Sequence, residues 1–152
     1  MSIDVTTRVS QLSSEYAPDL IGLPGKAPLL SWQVQSSTAG SEQLSAELQA
    51  SGTADFASVT ATETINGNAS QFITAPGGQL ASREVRWYRV RITTAAGHTE
   101  WSQPLRIEAG LLKPSDFNGV AIGDEGKAQG PAALLRTEFQ LDKPVASARL
   151  YG

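Results

Sequence analysis

The chain contains no cysteine in its 152 residues, which removes disulfides and thiolate metal sites from consideration. That usage suits a reducing compartment, and a cytoplasmic location is the expectation. Histidine is almost as scarce. The single one, His98, falls in a polar turn with Glu100 two residues on, and it reads as an exposed turn residue. General-base or metal chemistry would need partners converging on it, and the local sequence supplies one. No apolar run approaches the ~20 residues of a membrane span. The first nine residues have neither the basic start nor the apolar core of a signal peptide.

Positive charge is also in short supply. Twelve Lys and Arg stand against fifteen Asp and Glu, for a net charge of −3. The densest basic stretch, Arg83, Arg86, Arg89 and Arg91, is no phosphate-tracking footprint, so a nucleic-acid partner is not expected. No Gly-x-Ser-x-Gly elbow accompanies the serines, and Gly123-x-x-Gly126 lacks the lysine of a phosphate loop. The adjacent acids Asp124 and Glu125 fall well short of the six to eight oxygens calcium takes and read as a solvated loop. Asn68-Ala69-Ser70 fits a glycosylation acceptor, relevant only to a secreted eukaryotic protein. Catalytic residues, metal ligands and cofactors are therefore expected to be none.

What the chain does have is period-two patterning, broken by Gly, Pro, Asn, Ser and Asp. Leu30, Trp32 and Val34 alternate with Ser31, Gln33 and Gln35. Leu44, Ala46, Leu48 and Ala50 alternate with Ser45, Glu47, Gln49 and Ser51. Residues 43–50 have helical propensity, but their period is that of a strand with one buried face. Weaker polar strands are expected over 54–61 and 63–72, with a hairpin at Asn66-Gly67-Asn68. After the breaker Pro76-Gly77-Gly78 comes the strongest strand, 84–94. It has Tyr88, Val90 and Ile92 on one face, and Trp87, Arg89 and Arg91 on the other. Residues 95–98 turn the chain, and 99–109 return as a final strand. Past Gly110 the character changes to a polar loop over 123–131, followed by alternating segments over 134–141 and 145–151.

Four segments carry a resemblance to a known family. They are Pro28-Leu29-Leu30-Ser31-Trp32; Glu42 through Ser51; Trp87-Tyr88-Arg89-Val90-Arg91-Ile92 followed by Gly97 and Trp101-Ser102; and the junction Ile107 to Leu112 with Leu134 to Phe139 and Ala148 to Gly152. In order and spacing they resemble the N-terminal region of bacterial α-L-rhamnosidases of the inverting, multidomain kind. Its first part is similar to a fibronectin type III domain. One departure concerns the corner tyrosine of such sandwiches, whose position is held here by Arg86. The resemblance implies an all-β, fibronectin type III or immunoglobulin-like β-sandwich over 1–112, then a short β-strand extension over 113–152. The extension would be the truncated start of a second β-sandwich domain. It also implies a parent glycosidase whose two acids stand roughly 6.5–9.5 Å apart, in a barrel downstream of everything present here. No catalytic residue is carried over.

The candidate surface is the aromatic and basic face of Trp87, Arg89, Arg91 and Gln103, with arginine stems expected to lie over Trp87. Trp32 and Tyr88 read as core, and Trp101 as packing at a sandwich edge. The face is expected to dock against downstream domains of the parent enzyme, with carbohydrate binding as the competing use. Pairing with a second copy through exposed strand edges is a further expectation.

Overall fold

The computed structural model describes residues 3–4, 6–15, 20–120, 136–146 and 148–150. The chain divides into two compact units, Met1–Phe117 and Asn118–Gly152. The first unit holds nine strands among the described residues: β1 Thr7–Ser14, β2 Leu20–Leu23, β3 Leu29–Ser36, β4 Ser45–Ser51, β5 Val59–Asn66, β6 Ile73–Thr74, β7 Val85–Thr94, β8 Gly97–His98 and β9 Leu105–Ala109. A small sheet runs β1-β3-β6. A larger one runs β2-β9-β7-β4-β5, with β8 added to the end of β7. All pairings between these strands are antiparallel except β2 with β9. The two sheets stack as the sandwich expected from the alternation.

The core lies where the pattern put it. Leu30 and Trp32 from β3 meet Ala46, Leu48 and Ala50 from β4, and Tyr88, Val90 and Ile92 from β7; Leu105 and Ile107 of β9 close it. Trp32 donates its indole N–H to Gln43 Oε1 at 2.9 Å. Gln43 in turn donates to the carbonyls of Gly67 and Ala69, so the one polar atom of a buried ring is satisfied.

Several expectations are corrected. Val34 and Leu44 are exposed, at 39% and 53%. Val34 sits two residues before the end of β3, and Leu44 precedes β4. The hairpin at Asn66-Gly67 does not form. Gly67 does adopt a positive φ of 87°, but β5 is the returning partner of β4, in register Glu47 with Thr64 and Gln49 with Thr62. Beyond Gly67 the chain crosses to the other sheet, where Ser70 accepts from Trp32 N–H and β6 pairs β3. A turn residue fixes local geometry, not which strand becomes the partner. His98 is half-buried in β8, its ring Nδ1 3.0 Å from Thr93 Oγ1, where the sequence suggests an exposed turn residue.

In the second unit no strand appears among the described residues, although 134–141 and 145–151 alternate. A strand exists by its ladder of hydrogen bonds, and alternation alone supplies none. Phe139, Leu141, Val145 and Leu150 are exposed. The loop acids Asp124 and Glu125, the glycines 123 and 126, and residues 134, 135, 147 and 151 lie outside the described residues.

Candidate functional site

The outer face of the larger sheet is built by register. In β7 and β4, Trp87 stands opposite Ser51, Arg89 opposite Gln49 and Arg91 opposite Glu47, while Trp87 meets Arg106 on β9. Arg89 and Arg91 each find an acceptor across the ladder. Arg89 donates Nε and Nη2 to Gln49 Oε1 at 2.9 and 2.7 Å. Arg91 donates the same two nitrogens to Glu47 Oε2 at 2.9 and 2.6 Å. Arg106 reaches Glu108 along its own strand at 2.6 Å. Glu47 accepts from Gln49 as well, which links the two rows.

Two segments fold onto this face and supply its aromatic cover. The first follows β8. Thr99 Oγ1 and Ser102 Oγ accept from the β7 amides of Ile92 and Val90, at 3.1 Å each. The amides of Thr99 and Ser102 donate back to the carbonyls of the same two residues. Two hydroxyls thus stand in for strand carbonyls, and Glu100-Trp101 arch out of the ladder between them. The arch lays the Trp101 ring beneath both guanidinium groups, 4.3 Å from Arg89 and 4.5 Å from Arg91. This is a correction: the arginines stack on Trp101 rather than Trp87. The final strand is correspondingly shorter than 99–109, reduced to β9.

The second segment is the β4–β5 connection. Asp55 Oδ1 accepts from Thr53 Oγ1 at 2.6 Å and from Ala57 N–H at 3.0 Å, closing a tight turn. Those bonds, the Thr53 hydroxyl foremost, hold the Asp55 carboxyl below its ordinary pKa. Phe56 at the turn's apex takes a φ of +54°, a strained value for an aromatic residue. That conformation folds its ring, which is buried, under Arg89 at 4.2 Å. Burial, then the neighbouring charge of Arg91, pulls the Arg89 pKa below its usual value, with Glu47 acting in opposition.

Of the four residues singled out from sequence, Arg89 and Arg91 lie at the centre of this cluster. Trp87 is half-buried on the same face, between Ser51 and Arg106. Gln103 is exposed two residues past Trp101, and its backbone carbonyl accepts from Ser102 Oγ. Its side chain takes no part in the arginine pairs. Sequence reasoning missed Phe56, Trp101, Glu47 and Gln49 as members. The outward alternation of Glu47 and Gln49 was visible, but only the register sets them opposite the arginines. The guanidinium groups of the face stay protonated, and its carboxylates Glu47 and Glu108 are engaged by them. The face presents flat rings and paired charges.

The family described as Rha78A-like, N-terminal immunoglobulin domain matches residues 9–113. An α-L-rhamnosidase of Alteromonas sp. (strain LOR) is 30% identical over 146 residues, 86% of this chain and 16% of that protein. Among solved structures, the α-L-rhamnosidase of Streptomyces avermitilis, complexed with L-rhamnose, superposes with a TM-score of 0.66 and 26% identity. The match covers 74% of this chain and 11% of that one. The Aspergillus terreus α-L-rhamnosidase shares the fold at a TM-score of 0.56 and 24% identity, over 72% of this chain and 13% of that one. The chain thus spans less than one fifth of the length of each of these relatives.

Proposed function

The chain belongs to the family of Rha78A-like N-terminal immunoglobulin domains, and on that footing we propose that it is a non-catalytic docking domain of an α-L-rhamnosidase-type glycoside hydrolase. Its task is to brace the rest of such an enzyme, and the outer face around Trp101 is the surface that does it. The observation that carries this reading is the pairing within the face: Arg91 with Glu47, Arg89 with Gln49, Arg106 with Glu108, and the two central guanidinium planes against Trp101. Isolated charges resist removal from water, whereas charges already paired and stacked lose less on being covered. Arginine and tryptophan are also the side chains most enriched at the energetic centres of protein interfaces.

The test is a chimera in which this chain replaces the matching segment of the Alteromonas enzyme. Trp101→Ala and the double variant Arg89→Ala/Arg91→Ala should lower the thermal midpoint of the chimera by more than they lower that of the isolated chain. Equal shifts in both would sink the docking role. Calorimetry of the isolated chain against L-rhamnose and rhamnosides is the companion experiment. Heat that disappears in Trp87→Ala would favour a carbohydrate-binding module instead, and rhamnoside turnover by the isolated chain would overturn the non-catalytic reading.

A further inference from the structure

Beyond β9 the backbone folds back over the loop that precedes β7 and is tied to it at four points. Arg83 N–H donates to the Gly110 carbonyl at 3.1 Å, and Leu112 N–H donates to Ser82 Oγ at 2.8 Å. The Ser82 hydroxyl donates in its turn to Asp116 Oδ2. Arg83 Nη2 donates to the Asp116 carbonyl at 2.8 Å. The same carboxylate oxygen accepts from Lys113 N–H at 3.0 Å, closing a 3₁₀ turn over Pro114–Asp116.

Three features set this apart from an incidental surface contact. Both hydrogen-bonding functions of the Ser82 hydroxyl are used, one to hold the backbone and one to hold the acid. Arg83 takes a φ of +62°, a conformation a non-glycine residue keeps only when its surroundings impose it. Pro114 pre-sets the backbone at the start of the turn, so less freedom is lost on closing it. The Ser82 hydroxyl, and after it the Lys113 amide, hold the Asp116 carboxyl below its ordinary pKa, which keeps the acceptor ionised.

The geometry points to an orienting joint: Ser82, Arg83 and Asp116 fix the direction in which the polypeptide leaves the sandwich, through Phe117. The sandwich is thereby an aimed module for the polypeptide that follows, where a polar linker would make it a tethered one. The joint shares no residue with the aromatic face, so this idea and the docking role fail separately.

Amide hydrogen exchange and residual dipolar couplings on the 152-residue chain test it. In the unaltered chain, Leu112, Lys113, Asp116 and Phe117 should exchange at least about tenfold more slowly than free peptide. Their couplings should fit the alignment tensor of β7 and β9. Ser82→Ala should release Leu112, and Asp116→Ala should release Lys113, each by about tenfold, with Val90 and Ile92 unmoved. Arg83→Gly separates the joint from fold damage: it relieves the left-handed backbone while deleting the guanidinium. It should therefore leave core protection intact and average the couplings of residues 112–117 toward zero. Free-peptide exchange in the unaltered chain, averaged couplings there, or indifference to all three substitutions would each overturn the proposal.

Discussion

Two residues before Tyr88, where immunoglobulin-like sandwiches carry a corner tyrosine that bonds the backbone upstream, this chain has Arg86. Its Nη1 donates to the carbonyls of Gly77 and Gly78 at 2.9 and 3.0 Å, while Nε and Nη2 hold Glu84 at 2.8 and 2.5 Å. Glu84 in turn accepts from Ala81 N–H at 2.7 Å. Burial works to lower the Arg86 pKa, but the Glu84 bond and the nearby Tyr88 outweigh it, so the net shift is upward. A Cβ at position 77 would lie 3.0 Å from Arg86 Nη1, and Gly77 has a φ of +86°, so the corner needs glycine there. Arg86→Ala should cost about 1.5–3 kcal/mol in urea unfolding, the range for bonds made by a charged donor. Arg86→Lys should recover less than half of that, because an ammonium cannot serve both partners as a fork.

Asp4 is a second residue of this kind. It is buried, with Oδ1 accepting from Thr6 N–H, Thr6 Oγ1 and Thr7 N–H, and Oδ2 accepting from Thr94 Oγ1 at 2.6 Å. These bonds, that of Thr94 first, drive its pKa far below the ordinary 3.8. A depressed folded-state pKa contributes stability that is complete above 3.8 and lost as pH falls through 3.8 toward the folded value. Acid unfolding of the unaltered chain should therefore steepen below that point. Asp4→Asn should flatten the profile there while lowering stability at neutral pH.

Among the elements, β5 is the exposed edge of the larger sheet, eight residues rich in threonine with neither lysine nor proline. Edges of that composition recruit other strands. The guard is Glu63. It stands opposite the fully buried Leu48 and so belongs to the inner face of the strand, yet it is exposed, between Ala61 and Ile65, which pack against the core. A second copy pairing antiparallel here would have to accommodate that charge next to an apolar layer. Glu63→Val should thus convert a concentration-independent sedimentation profile into one that shifts with concentration. A profile already shifting in the unaltered chain would show that Glu63 is no guard. The same strand shows why element partners were harder to read than elements. Asn66-Gly67 marks a turn, but the strand that pairs β5 is β4 and not the segment after the turn, because turn chemistry is local and strand pairing is not.

Over the whole molecule, the sandwich should unfold as one cooperative unit, since residues from β3, β4, β7 and β9 share a single core. Leu48→Ala, at a fully buried position, should cost about 2–5 kcal/mol. It should also release the protection of β3, β7 and β9 amides together. Loss confined to β4 would mean that the core is not one body.

The sequence by itself determined the class of fold, the core members Leu30, Trp32, Ala46, Leu48, Ala50, Tyr88, Val90, Ile92, Leu105 and Ile107, and the outward set containing Arg89 and Arg91. A period of two allows only one assignment of faces once one side is apolar, and that information is contained in single strands. The tertiary structure alone decided that the arginines would meet Trp101 and Phe56, that Arg86 would bond Gly77, Gly78 and Glu84 from the corner, and that Ser82 and Asp116 would clasp. Those contacts join residues brought together by register, by an arch carried on two hydroxyls, and by backbone in left-handed conformations. None of these leaves a periodic trace along the chain.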